Sequence, residues 1–225
     1  MRLPHPPLLV ITDRRQAPAP LEQRAAALFA GGCRWLSLRE KDLSAEERTA
    51  LLGRLIALGK KWGALVMVHE DLDAAAATKA GGIHLPEGAS PRMARSRLGE
   101  AALIGQSAHS VDEVSRAAAE GADYVTLSPI FMSASKPGYG PALGLAALHR
   151  PAPVPVLALG GIEPANLGSC LRAGASGAAV MGGAMRAADP EGYMAKLLAA
   201  MARALAGRAV DIDGQGARGK EGMVR

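Results

Sequence analysis

Short runs of β-branched and other apolar residues alternate along this chain with longer stretches whose apolar positions recur at helical spacing. Such alternation predicts strand–helix units feeding a parallel sheet. The strand segments are Leu8–Asp13, Trp35–Glu40, Ala64–Glu70, Gly82–Pro86, Leu103–Ala108, Tyr124–Pro129, Val154–Ile162 and Gly177–Gly183. That number of units is what closes a barrel, so the pattern predicts an α/β fold, a single (β/α)8 TIM barrel. Helix starts agree with it. Ser44 followed by Glu47 and Ser110 followed by Glu113 read as capping boxes. Pro164 and Pro190 stand where helices begin, the second behind an Asp189 cap. Glycines recur just ahead of the strands, at Gly31-Gly32, Gly63, Gly81-Gly82, Gly121 and Gly174, as helices turning back to a barrel floor require. The barrel is expected over 1–206. Beyond Gly207 the apolar period stops, and 207–225 is expected to be a disordered C-terminal tail. The competing architecture, an open doubly wound sheet, lacks its sign: no G-x-G-x-x-G follows the first strand.

Composition narrows the class. Of 225 residues 49% are hydrophobic and 21% charged, which excludes a disordered chain, and aromatics are only 3%, so small aliphatic residues must build the core. The net charge of +5 is scattered over Arg14-Arg15, Arg39 and Lys41, Lys60-Lys61 and Arg92 to Arg97 rather than gathered on one face. Nucleic acid is therefore not the expected partner, and a mouth receiving phosphorylated small molecules accounts for part of the excess. No apolar run is long enough to span a membrane, and Met1–Pro7 holds three prolines and no apolar h-region. A cytoplasmic location is expected, with Cys33 and Cys170 as small buried hydrophobes in a reducing compartment. The sequence is compatible with a homo-oligomer and does not fix one.

In a (β/α)8 barrel the chemistry gathers at the C-terminal ends of the strands. On the second strand, Leu36 and Leu38 share one face, and Ser37, Arg39 and Lys41 share the other, turned toward the barrel mouth. Two cations there call for a ligand phosphate, or for ion pairing with Glu40, Glu70 or Asp13. The third strand ends His69-Glu70-Asp71, where a carboxylate pair suits Mg²⁺, although Asp71 is equally placed to cap the next helix. The fifth strand brings Ser107 and His109 toward the mouth, without the G-x-S-x-G elbow of a nucleophilic serine. His69, His84 and His109 have no zinc-ligand spacing. After the sixth strand comes a hydroxyl- and glycine-bearing loop, Ile130 to Gly140, with Ser133, Ser135 and Lys136, suited to closing over a substrate. Gly160-Gly161 and Met181-Gly182-Gly183, followed by a helical turn at Ala184-Met185-Arg186, stand where barrels commonly bind phosphate.

Several of these segments, in order, resemble one family. They are Leu9-Val10-Ile11-Thr12-Asp13, Leu38-Arg39-Glu40-Lys41, Gly82-Ile83-His84-Leu85, Ile104 to His109, Gly121 to Val125, Ser128-Pro129-Ile130-Phe131, Leu159-Gly160-Gly161-Ile162 and Gly174-Ala175. The chain is similar over 8–206 to thiamine phosphate synthases, whose family also includes thiazole tautomerases. The resemblance implies a transferase of thiamine biosynthesis that joins hydroxymethylpyrimidine pyrophosphate to thiazole phosphate and releases pyrophosphate through a pyrimidine carbocation. It implies that Arg39, Lys41 and Lys136 hold pyrophosphate, that Ser107 lies near the reacting groups, and that Ser133, Ser135, Gly161, Met181 and Gly182 hold the thiazole phosphate, with Gly160 and Gly183 beside them as substrate-binding positions of the two glycine pairs. Ser37 and His69 fall at substrate-binding positions where synthases carry Gln and Asn. Magnesium is the implied cofactor, and here the family's two aspartates are replaced: Glu70 stands at one, and Pro86-Glu87-Gly88-Ala89 replaces the run that carries the other, leaving Glu70 and Glu87 as candidate ligands. A thiazole tautomerase and a non-catalytic thiazole or thiamine phosphate-binding protein are the alternatives. The tautomerase's catalytic histidine aligns with Pro129, which cannot transfer a proton.

Overall fold

The computed structural model of the chain describes residues 3–132 and 140–218, with side chains up to 207. Parallel strands β1 (Leu8–Ile11), β2 (Trp35–Leu38), β3 (Leu65–His69), β4 (Gly82–Leu85), β5 (Leu103–Ala108), β6 (Tyr124–Leu127), β7 (Val156–Ala158) and β8 (Gly177–Val180) pair in chain order. The ring closes where Leu8 meets Ala178 and Val10 meets Val180. Helices α1 (Leu21–Ala30), α2 (Ala45–Lys60), α3 (Leu72–Thr78), α4 (Pro91–Leu98), α5 (Val111–Ala119), α6 (Leu167–Arg172), α7 (Gly182–Arg186) and α8 (Pro190–Arg218) surround it, with 3-10 turns at Arg14–Gln16 and Leu145–Leu148. The predicted TIM barrel is the observed fold.

Alternation along each strand separates two apolar cores. Outward residues such as Leu8, Val10, Leu36, Leu38, Val68, Ile83, Val125 and Val180 pack against the helices. Inward residues Leu9, Ile11, Trp35, Met67, Leu103, Tyr124, Leu157 and Ala179 fill the barrel. Trp35 and Tyr124 meet edge to face at 4.8 Å, and the Trp35 indole N–H donates to Met67 Sδ at 3.0 Å. Room for the Tyr124 ring comes from Gly105, where a Cβ would lie 2.1 Å from Tyr124 Cζ. Above this apolar plug the inward positions turn polar, with Ser37, His69, His84, Ser107 and Thr126 forming a layer beneath the mouth.

Strand ends fall short of the sequence reading at several places, for local reasons. β7 starts at Val156, because Pro155 has no N–H for the ladder, and stops before Gly160 and Gly161 take positive φ. β8 stops at Val180, since Met181 turns the chain into α7, which already includes Gly182 and Gly183. β1 ends at Ile11 because the Thr12 hydroxyl, rather than a backbone carbonyl, receives the next N–H, that of Arg39. β2, β3, β4 and β6 also stop one or two residues short at one or both ends. Pro164 opens a turn, and α6 begins only at Leu167 behind Asn166, whose side chain bonds Glu163 N and Gly161 O. α8 does begin at Pro190, and its backbone continues as helix past Gly207 to Arg218. Ser44 and Glu47 form the full capping box. Ser110 caps α5, while the Glu113 carboxylate reaches one residue further back, to His109 N at 2.6 Å.

Candidate functional site

The C-terminal ends of the strands surround a cavity of about 490 Å³. Arg39, Lys41, His69, Glu70, Glu87, Ser107 and His109 line one side, and Gly160, Gly161, Met181, Gly182 and Gly183 line the other. Every candidate residue within the described chain borders it except Ser37. That side chain is fully buried one layer below Arg39, with Oγ 2.7 Å from His69 Nδ1, so it supports His69 from beneath. Ser133, Ser135 and Lys136 lie outside the described residues.

The cationic side is built by β2 and its loop. Arg39 is half-buried, and its N–H is fixed by the Thr12 hydroxyl at 2.9 Å. Between the cations, the buried Glu40 turns away and accepts the Arg14 N–H through both oxygens at 3.0 and 3.1 Å, tying this loop to the one after β1. Burial pushes the Glu40 carboxyl up from the usual carboxylate range against the lowering effect of those bonds. Lys41 pairs with Glu70 at 2.7 Å, one of the partners left open by the sequence. Glu70 holds a left-handed backbone at φ 64°, which turns its carboxylate over the mouth. Asp71 caps α3 through Ala74 N at 2.8 Å and pairs with Arg48 at 2.6 Å, a structural role away from the cavity.

On the opposite side two glycines make a shallow cradle. Gly160 and Gly161 stand at φ 95° and 63°, a region costly for side chains. A Cβ on Gly160 would fall 2.8 Å from Pro129 Cα, and one on Gly161 would fall 2.6 Å from the Met132 carbonyl oxygen. The chain after β6 thus lies directly on the glycine pair, with Phe131 N donating to Gly160 O at 3.1 Å. At α7 the first intrahelical bond to reach back is Met185 N to Met181 O at 2.9 Å, so the N–H groups of Gly182 and Gly183 precede any helical acceptor. Backbone donors and missing side chains together are what a phosphate group needs.

Between the two sides the floor of the cavity is polar and buried. His84 is 1% exposed; its Nδ1 lies 3.0 Å from Tyr124 Oη, and its Nε2 lies 3.1 Å from Ser107 Oγ and 3.3 Å from Thr126 Oγ1. Its ring meets that of His69 in a tilted contact, centroids 4.5 Å apart. Burial first, and the nearby Arg39 charge second, push the His84 imidazole down to about 3. Below pH 6.5 the unfolded chain therefore binds a proton that the folded chain refuses. Stability is expected to fall as pH drops from 6.5 toward 3, by about 1.4 kcal/mol per pH unit from this one group. Melting curves of wild type and His84→Gln between pH 7 and 4.5 check this, and equal slopes would remove His84 as the cause. In the sequence His84 stands out as part of a family segment and as a histidine without zinc-ligand spacing, not as a site residue. The available signal was its parity, inward on β4 with only Gly82 and Pro86 as inward neighbours. Glu163 and Arg186 were also missed: both line the glycine side, and the Tyr193 hydroxyl donates to Glu163 at 2.6 Å. Arg186 donates to Gln16 on the turn that follows the adjacent β1.

The family model for thiamine monophosphate synthase matches residues 8–184. The chain belongs to the thiamine monophosphate synthase family. A thiamine-phosphate synthase of Roseiflexus sp. (strain RS-1) is 38% identical over 205 residues, covering 89% of this chain and 87% of that protein. Another, of Chlorobium luteolum (strain DSM 273 / BCRC 81028 / 2530), is 38% identical over 216 residues, covering 92% and 99%. Among solved structures, a thiamine phosphate pyrophosphorylase from Pyrococcus furiosus superposes with a TM-score of 0.79 at 28% identity, covering 88% of this chain and 96% of that one. Membership of the thiamine monophosphate synthase family agrees with the eight-stranded barrel and with the place of the cavity within it. Among the described residues no helix is long and apolar enough to cross a membrane.

Proposed function

We propose that this chain joins hydroxymethylpyrimidine pyrophosphate to a thiazole phosphate, forming thiamine phosphate and releasing pyrophosphate. The observation that carries the reading is one cavity lined both by two cations, Arg39 and Lys41, and by two glycine pairs, Gly160-Gly161 and Gly182-Gly183, each suited to an anion. A substrate pair that brings a phosphate at each end matches that arrangement. The relatives' names support the same reaction.

The bond from the pyrimidine methylene carbon to the pyrophosphate oxygen breaks, and the oxygen keeps the electron pair. The thiazole nitrogen lone pair then forms the new carbon–nitrogen bond, leaving the ring as a thiazolium cation. No proton is transferred, so no general base is needed. Arg39 and Lys41 stabilise charge as it develops on the departing pyrophosphate. Ser107 borders the same space, and the glycine cradle with Met181 positions the thiazole phosphate. Lys136 is assigned to the pyrophosphate, and Ser133 and Ser135 to the thiazole phosphate, from the family resemblance. Pro129, at the position of the tautomerase histidine, lines the cavity and has no proton to give, which disfavours that alternative.

Magnesium fits this site only together with substrate. Among the described residues no three acidic, histidine or cysteine side chains come together, and Glu70 is already held by Lys41. Glu70 and Glu87 are the two carboxylates of the pattern, within the one or two that Mg²⁺ commonly takes beside phosphate oxygens. When bound, the ion would neutralise pyrophosphate charge. The free, buried Cys33 and Cys170 are in keeping with a cytoplasmic enzyme. Purified protein given both precursors and Mg²⁺ is expected to release pyrophosphate at enzymic rates, and to stop when either precursor or the metal is left out. Absence of release from folded protein that still binds the thiazole phosphate would leave the phosphate-binding alternative in its place.

A further inference from the structure

We infer that His84 is a positioning residue that makes the Ser107 hydroxyl a hydrogen-bond donor into the cavity, by presenting its own Nε2–H to Ser107 Oγ. The consequence for catalysis rests on the function proposed above; the tautomer itself does not.

Proton bookkeeping through the buried layer leads there. Tyr124 is fully buried, and its phenol is held protonated by that burial, reinforced by Asp123. Its single proton has two acceptors in reach, His84 Nδ1 at 3.0 Å and Met67 Sδ at 3.6 Å. The sulfur is the weaker acceptor, lies farther away and already receives the Trp35 indole N–H at 3.0 Å. The phenol therefore donates to Nδ1. A neutral imidazole with a lone pair on Nδ1 carries its proton on Nε2. That proton points at Ser107 Oγ at 3.1 Å and Thr126 Oγ1 at 3.3 Å. With a lone pair of Ser107 Oγ occupied, the serine proton is left for the cavity that Ser107 borders. The opposite tautomer would take the serine proton and turn a lone pair toward an anionic substrate, which repels.

The chain Tyr124, His84, Ser107 thus points every donor the same way, toward the substrate, and hydrogen bonds aligned like this polarise one another. Its upper end, Ser107, borders the same cavity as Arg39 and Lys41, the groups assigned to the departing pyrophosphate in the proposed reaction. Charge that grows there is met by a donor whose direction was fixed before substrate arrived. Fully buried, in ring contact with His69 and bonded at both nitrogens, the imidazole serves as a fixed relay of direction and not as an acid or base.

Nitrogen-15 NMR of histidine-labelled wild type tests the tautomer directly, with the His84 signals identified by their loss in His84→Gln. Protonated Nε2 and bare Nδ1 are expected; a proton on Nδ1, or on both nitrogens at neutral pH, overturns the inference whether or not the protein proves to be the proposed enzyme. Turnover tests the consequence. His84→Leu is expected to lower kcat by roughly tenfold to a hundredfold with KM little changed, the loss of one hydrogen bond to a charged group. Ser107→Ala should lose a similar factor, and the double variant should lose no more than the worse single one. His84→Gln, which keeps an acceptor and a donor on one amide, should recover most of the rate. Additive losses, or equal losses in Leu and Gln variants of native stability, would reduce His84 to a core residue. If His84→Leu fails to fold, the Gln variant paired with Ser107→Ala carries the cycle.

Discussion

Arg39→Ala is expected to lower pyrophosphate release by a factor on the order of 10² to 10³, while the melting temperature moves by less than about 2 °C. The two halves of that expectation have one origin. Arg39 borders the cavity half-buried, and among the described residues its guanidinium forms no ion pair. A cation held partly out of water without a counter-charge contributes little to folding, and its removal leaves nothing unpaired. What it does have is a fixed root, since the Thr12 hydroxyl anchors its N–H and Glu40 locks the next residue to Arg14. Such a preorganised charge is worth most when a leaving group becomes more negative. Arg39→Lys keeps the charge and loses the planar fork, so an intermediate rate is expected. An unchanged rate in Arg39→Ala, measured with both precursors, would take the pyrophosphate away from this side of the cavity. Lys41→Ala is the useful contrast, because it also releases Glu70 from its partner.

Gly105→Ala is expected to lower the melting temperature by about 6–12 °C, corresponding to roughly 3 kcal/mol of overpacking in a chain of this size. The new methyl carbon would fall 2.1 Å from Tyr124 Cζ and 2.4 Å from its Cε1 and hydroxyl. That ring has nowhere to go: Trp35 stands against it, and its hydroxyl is bonded to His84. Shrinking the obstacle should restore part of the stability, so Gly105→Ala with Tyr124→Leu is expected to melt higher than Gly105→Ala with Tyr124 intact. Thermal melts of the two proteins decide it, and the reverse order would show that the strand backbone, not the ring, is what fails.

Much of this architecture was legible because a barrel of parallel strands repeats one local rule. Inward and outward parity placed Arg39 and Lys41 at the mouth, and Leu36 and Leu38 against the helices, from the letters alone. The glycine pairs were legible for a different reason, since only a missing side chain satisfies Gly160 and Gly161. Depth was not legible. Ser37 shares its face with Arg39, yet two residues of strand place it below the cavity. Nor was pairing across the barrel. That Lys41 chooses Glu70 over Glu40 or Asp13, and that His84 finds Ser107 on the next strand and Tyr124 on the one beyond, depends on segments far apart in the chain. His84 looked like a rejected ligand because a sequence shows a histidine's chemistry and hides its company.

Closure of the ring also has a bearing on how the chain is made. β1 finds one of its two neighbours only in β8, through Leu8 with Ala178 and Val10 with Val180. During synthesis the first strand leaves the ribosome with that side bare, and it stays so until Gly177–Val180 has followed. Throughout that interval the nascent sheet has two open, apolar edges, each able to pair with another chain. A message cut short before Gly177 would yield an almost complete barrel that is adhesive, where the finished protein presents no strand edge at all.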